Sequence, residues 1–117
     1  MKSILVVEDD LAVGETIRSI LEDSAYQVRV FEDPAELPAG SLPALVITDL
    51  LGRGGYSSAE AIEVVRALRL RTAAPVLVLT AHGAARTDDG LAHEASAVLT
   101  KPFEIDELLA LVERLAV

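Results

Sequence analysis

Three short apolar runs constrain this chain most: Ile4-Leu-Val-Val7, Leu45-Val-Ile-Thr48 and Val76-Leu-Val-Leu79. Each is rich in β-branched residues, and none alternates polar with apolar. A strand with one face in water must alternate. These runs therefore predict strands covered on both faces, as in a parallel sheet with helices above and below. Two weaker runs, Gln27 to Phe31 and Ala95 to Thr100, predict edge or near-edge strands.

The gaps between them carry helical periodicity. Ile105, Leu108, Leu109, Val112 and Leu115 form one stripe, with acidic residues in its first turn and Arg114 in its last, as the helix dipole favours. Val13, Ile17, Ile20 and Leu21 form a second stripe. Ile62, Val65 and Leu68 form a third, opened by a capping box at Ser57-Ser58-Ala59-Glu60. Two helices read as poor. Pro34 and Pro43 leave room for about one turn, and Gly83, Gly90 and Asp88-Asp89 predict a short or frayed segment from His82 to Glu94. Five βα units at this spacing predict an α/β fold, a doubly wound five-stranded parallel sheet with about five helices.

At 117 residues, a single domain spanning 1–117 is expected. The net charge of −9 argues against direct nucleic-acid binding, and the 51% apolar content argues against a disordered acidic tail. The lack of cysteine excludes disulfides and thiolate metal sites. No stretch approaches the ~18 apolar residues a membrane span needs, and the N-terminal run is too short for a signal peptide. A cytoplasmic protein with no membrane partner is expected.

Ligands of open α/β sheets bind at the carboxyl ends of the strands. There the first strand delivers Glu8-Asp9-Asp10, the third Thr48-Asp49, the fourth Thr80-Ala81 and the fifth Thr100-Lys101-Pro102. Taken singly, each has a plain reading: a helix cap, a turn residue, a strand end or a loop lysine. Together they form a rim of carboxylates with a hydroxyl and a lone ammonium. Crowded carboxylates call for a hard divalent cation such as Mg²⁺. Glu8, Asp9 and Asp49 balance Mg²⁺ plus Lys101, leaving one carboxylate free to attack a phosphoryl group.

Ile4-Leu-Val-Val-Glu-Asp-Asp10, Val46-Ile-Thr-Asp-Leu50, Val78-Leu-Thr-Ala81 and Leu99-Thr-Lys-Pro-Phe103 resemble, in order and spacing, a response-regulator receiver domain of two-component signalling. The resemblance covers essentially the whole chain. It implies a flavodoxin-like fold with strand order 2-1-3-4-5, and Asp49 as phosphoacceptor for a sensor histidine kinase or phosphotransfer protein. It further implies Mg²⁺ held by Glu8, Asp9, Asp49 and the Leu51 backbone carbonyl. Thr80, Ala81 and Lys101 would be the switch and phosphoryl-binding residues, with a cis bond before Pro102. The phosphoryl chemistry would be self-modification and self-dephosphorylation, not turnover of an outside substrate.

The sequence departs from the family at three places. Val98 stands where the family usually has an aromatic ring that follows the threonine. Arg53 and Ser57 replace a usual proline and glycine, and Gly52-Arg-Gly-Gly55 is expected to loosen that loop. The fourth helix is weak. Leu51 and His82 are candidates for tuning the acyl phosphate's lifetime: Leu51 by hindering water, His82 by orienting it. Exposure at a helix start is the favoured reading of His82, and His93 is expected to carry no chemistry. The surface of the fourth helix, fifth strand and fifth helix would meet a downstream partner or a second copy; Gly90, Asp88-Asp89 and Val98 alter it, so a partner would read it in a non-standard way or the domain would signal little through it.

The leading expectation is a phosphorylatable receiver with no output domain in this chain. The alternative is a degenerate receiver acting as a constitutive interaction module. An aspartate-nucleophile phosphatase ranks last, because Leu51 stands where that class places a second Asp and no cap fits in this length.

Overall fold

The computed structural model describes residues 1–49 and 55–117. The expectations for Leu51 and Arg53 lie outside the described residues. Five strands, β1 (Ser3–Val7), β2 (Gln27–Phe31), β3 (Leu45–Asp49), β4 (Val76–Thr80) and β5 (Ala97–Thr100), form one parallel sheet in the order β2-β1-β3-β4-β5. The non-alternating runs are the three central strands, and the two weaker runs are the edges. Gln27 and Arg29 are exposed on β2, which is why its pattern reads weakly.

Four α-helices lie among the described residues: α1 (Leu11–Asp23), α2 (Ser58–Thr72), α3 (Asp89–Glu94) and α4 (Ile105–Leu115). None of them is long and apolar enough to cross a membrane. The expected second helix is one 3₁₀ turn, Pro34–Glu36, closed by a reciprocal cap between Asp33 and Glu36. The segment after β4 is a 3₁₀ turn, Gly83–Thr87, followed by the six-residue α3. Proline and glycine content set both outcomes, as the sequence implied.

The sheet divides the core in two. Ile4, Val6, Leu45, Ile47, Leu77 and Leu79 pack with Ile17 and Leu21 of α1 and Leu108 and Val112 of α4. Leu5, Val7, Val46, Val76 and Val78 pack with Val65 and Leu68 of α2 and Leu91 of α3. The C-terminal stripe needs one correction: Ile105 is 53% exposed. It is the first residue of α4, and burial on that helix begins one turn later, at Leu108. At the start of α2, Ser57 accepts the Glu60 amide proton, forming that half of the expected box.

Candidate functional site at the carboxyl edge

β1 runs into Glu8, whose side chain is almost fully buried. Asp10 then starts α1, accepting the amide protons of Ala12 and Val13 as its cap. Asp10 thus takes the capping role that the acidic triplet offered, and Glu8 and Asp9 are left for other partners. Gly14 lets α1 sit close to the sheet, since a Cβ there would lie 2.8 Å from Val30 Cγ1. Sequence reasoning missed this glycine. The available signal was spacing, because Gly14, Ile17 and Leu21 are the buried positions of α1.

β3 ends on Asp49, next to Glu8 and Asp9. Each of the three offers a carboxylate oxygen, and these oxygens all lie within 4.8 Å of one another. That approaches the ~4 Å separating two ligands on opposite sides of one Mg²⁺ ion. The donors are all oxygen, as a hard cation requires. Burial pushes the Glu8 carboxyl above its ordinary range, and the Asp49 charge pushes it further, against the opposing pull of Lys101. A bound cation would relieve that cost, so the residues present fit one.

Lys101 follows β5, and its Nζ lies 3.1 Å from Glu8 Oε2 and 3.6 Å from Asp49 Oδ2. Its backbone amide donates to the Thr80 carbonyl at 2.8 Å, fixing the end of β5 to the end of β4. The Lys101-Pro102 peptide is cis, as expected. Thr80 is fully buried, and its Oγ1 accepts the His82 amide proton at 3.1 Å. That bond uses a lone pair and leaves the hydroxyl proton for another acceptor.

Ala81 follows β4 directly and is exposed. His82 does stand at a helix start, but it is half-buried rather than exposed, with its ring 5.9 Å from that of Tyr56. His93 is exposed on α3. Val98 pairs with Val78 and packs half-buried on the α2/α3 side. Four strand ends therefore bring Glu8, Asp9, Asp49, Thr80 and Lys101, residues spread across most of the sequence, to one edge of the sheet.

Sequence reasoning also missed Tyr56. Its hydroxyl donates to Asp88 Oδ2 at 2.7 Å, and Asp88 Oδ1 accepts the Leu91 amide proton as the cap of α3. Burial, then the Asp88 carboxylate, pushes the Tyr56 phenol up to about 12. The neighbouring Ser58 hydroxyl and the Tyr56 hydroxyl in turn hold Asp88 below the usual carboxylate range. The chain has only two tyrosines, two phenylalanines and no tryptophan, and that scarcity was the available signal.

Comparison with known proteins identifies the family to which this fold belongs. Response regulator MprA of Mycobacterium sp. (strain KMS) is 38% identical over 112 residues, covering 92% of this chain and 47% of MprA. The KDP operon transcriptional regulatory protein KdpE of Escherichia coli (strain K12) is 38% identical, covering 94% of this chain and 49% of KdpE. The chain thus spans about half the length of the curated relatives it matches.

Among solved structures, the non-phosphorylated HemR receiver domain from Leptospira biflexa superposes with a TM-score of 0.74 at 32% identity, over 99% of this chain and 94% of that one. Response regulator TrrA from Thermotoga maritima, solved in complex with Mg²⁺ and BeF, superposes with a TM-score of 0.77 at 28% identity, over 98% and 99% of the two chains. Residues 4–113 match the family of response regulator receiver domains, and the chain belongs to that family.

Proposed function

We propose that this domain takes a phosphoryl group onto Asp49 from a sensor histidine kinase or phosphotransfer protein, and changes conformation to regulate a partner. One observation carries the reading. The carboxylate that ends β3 is grouped with two further carboxylates and an ammonium, and a buried hydroxyl ends the strand beside it. Glu8, Asp9 and Asp49 would hold Mg²⁺, together with the Leu51 carbonyl. The cation would supply charge neutralisation for a transferring phosphoryl group.

The protein's own groups do the rest. An Asp49 oxygen forms the new O–P bond as the donor's bond to phosphorus breaks, giving an acyl phosphate. Lys101, which lies between Glu8 and Asp49, would pair with the phosphoryl oxygens. The Thr80 hydroxyl proton and the Ala81 amide can donate to the same group. Once Thr80 turns toward the phosphoryl oxygen, its bond to the His82 amide is strained or lost.

Leu11 and Ile105, 59% and 53% exposed, open the two helices on the α1/α4 side. They offer an apolar contact beside the site for the phosphodonor protein. The lateral surface of α3, β5 and α4 is left for a downstream partner or a second copy.

The test is incubation with Mg²⁺ and acetyl phosphate, read by intact mass. A gain of one phosphoryl group, lost in Asp49→Asn and in a metal-free sample, supports the reading. No gain, together with no Mg²⁺ binding, overturns it and leaves a constitutive interaction module.

A further inference from the structure

The described residues hold a continuous chain of contacts from Thr80 to the start of α3. Thr80 Oγ1 holds the His82 amide, the His82 ring meets the Tyr56 ring at 46° between planes, and the Tyr56 hydroxyl holds Asp88. Asp88 in turn holds the Leu91 amide. Two stretches distant in sequence are thereby joined: the one entering α2, and the turn after β4 that runs directly into α3.

α3 is only six residues long. A helix that short does not persist by itself, so its first turn depends on its cap and its packing. Both are tight. Asp88 shares its two carboxylate oxygens between Tyr56 and the Leu91 amide. A Cβ on Gly90 would stand 3.0 Å from Ile62 Cδ1 and 3.3 Å from Asp88 Oδ1. Asp88 thus ties Tyr56 directly to the first turn of α3.

We propose that Tyr56 is a positioning residue that couples the state of Thr80 to the N-terminus of α3. It does so through its ring contact with His82 and its hydroxyl bond to Asp88. This rests on the Asp49 reading above and names the path by which that site reaches a surface helix. Val98, a valine on β5, offers no ring for such a role, whereas Tyr56 supplies one from the segment entering α2. Phosphorylation draws the Thr80 hydroxyl away from the His82 amide, His82 shifts against Tyr56, and Asp88 loses the Tyr56 hydroxyl, one of the two hydroxyls that hold it beside the Leu91 amide.

The experiment compares wild type, Tyr56→Phe and Tyr56→Ala, each with and without Mg²⁺ and acetyl phosphate. Intact mass reports the phosphoryl group, and amide hydrogen exchange is followed at Leu91, with Val78 of β4 as the reference. In wild type, phosphorylation speeds Leu91 exchange by about tenfold, on the order of one hydrogen bond to a charged group. Tyr56→Phe gains the same mass. Its Leu91 exchange is already fast without phosphate and changes little on phosphorylation, while Val78 stays protected. Tyr56→Ala behaves likewise. If wild type gains the mass with no change at Leu91, or if both variants keep the wild-type response there, the coupling role is overturned while the Asp49 reading stands. If wild type gains no mass, the Asp49 reading falls and the coupling falls with it.

Discussion

On the α1/α4 side of the sheet, helices of 13 and 11 residues lay apolar stripes on the strands, and Leu21, Leu108 and Val112 are fully buried there. On the α2/α3 side, polar links between distant segments supplement a comparable apolar core. Arg71 donates to the Leu37 and Ala35 carbonyls, Arg66 and Arg69 both bind Glu94, and Tyr56 binds Asp88. Apolar contacts are non-directional and hard to change by a small electrostatic event. Directional polar links can be broken singly. The first side suits a fixed frame, and the second suits a part that answers the site.

The largest expected effect comes from breaking the frame. Leu108→Ala should cost about 2–5 kcal/mol, as deletion of a fully buried leucine does, read as a lower urea midpoint. Next is Gly14→Ala, where overpacking against Val30 should cost about 1–3 kcal/mol in the same measurement. Little loss in either variant would mean that this side tolerates rearrangement, and the contrast would fail.

On the other side, Arg71→Met removes the bonds to Leu37 and Ala35, made at 2.6 and 3.1 Å. A loss of about 1–2 kcal/mol is expected, with faster exchange localised to the Pro34–Leu37 turn. An effect confined to alkaline pH concerns Tyr56. Its folded-state phenol is pushed up from 10.0 to about 12, so the protonated form is favoured on folding. That contribution is complete below about pH 10 and is lost as pH rises through about 12. Absorbance titration of a Tyr26→Phe variant isolates the Tyr56 phenol. Adding Asp88→Asn should lower its midpoint only in part, because burial is the larger cause.

The two sides were also unequally legible in the sequence. Strand runs and the α1 and α4 stripes could be read because each is a local pattern repeated at a fixed period. Glu8, Asp9, Asp49, Thr80 and Lys101 could be gathered because a parallel sheet brings its strand ends to one edge. Ile105 misled because it fits the stripe by spacing yet lies at the helix's first position. Leu37 is fully buried although it follows a 3₁₀ turn, where no period marks it. The Tyr56–Asp88 bond spans 32 residues and two irregular segments. Such links follow from tertiary packing and leave no repeat to read.

Everything proposed for the site depends on Asp49 being the residue modified. The most direct test is to treat the protein with Mg²⁺ and acetyl phosphate, then reduce any acyl phosphate with borohydride and sequence the peptides by mass spectrometry. Reduction turns an aspartyl phosphate into homoserine. Homoserine at position 49, and at no other acidic residue, is the predicted result. A reduced side chain at position 8 or 9 with position 49 intact would contradict it.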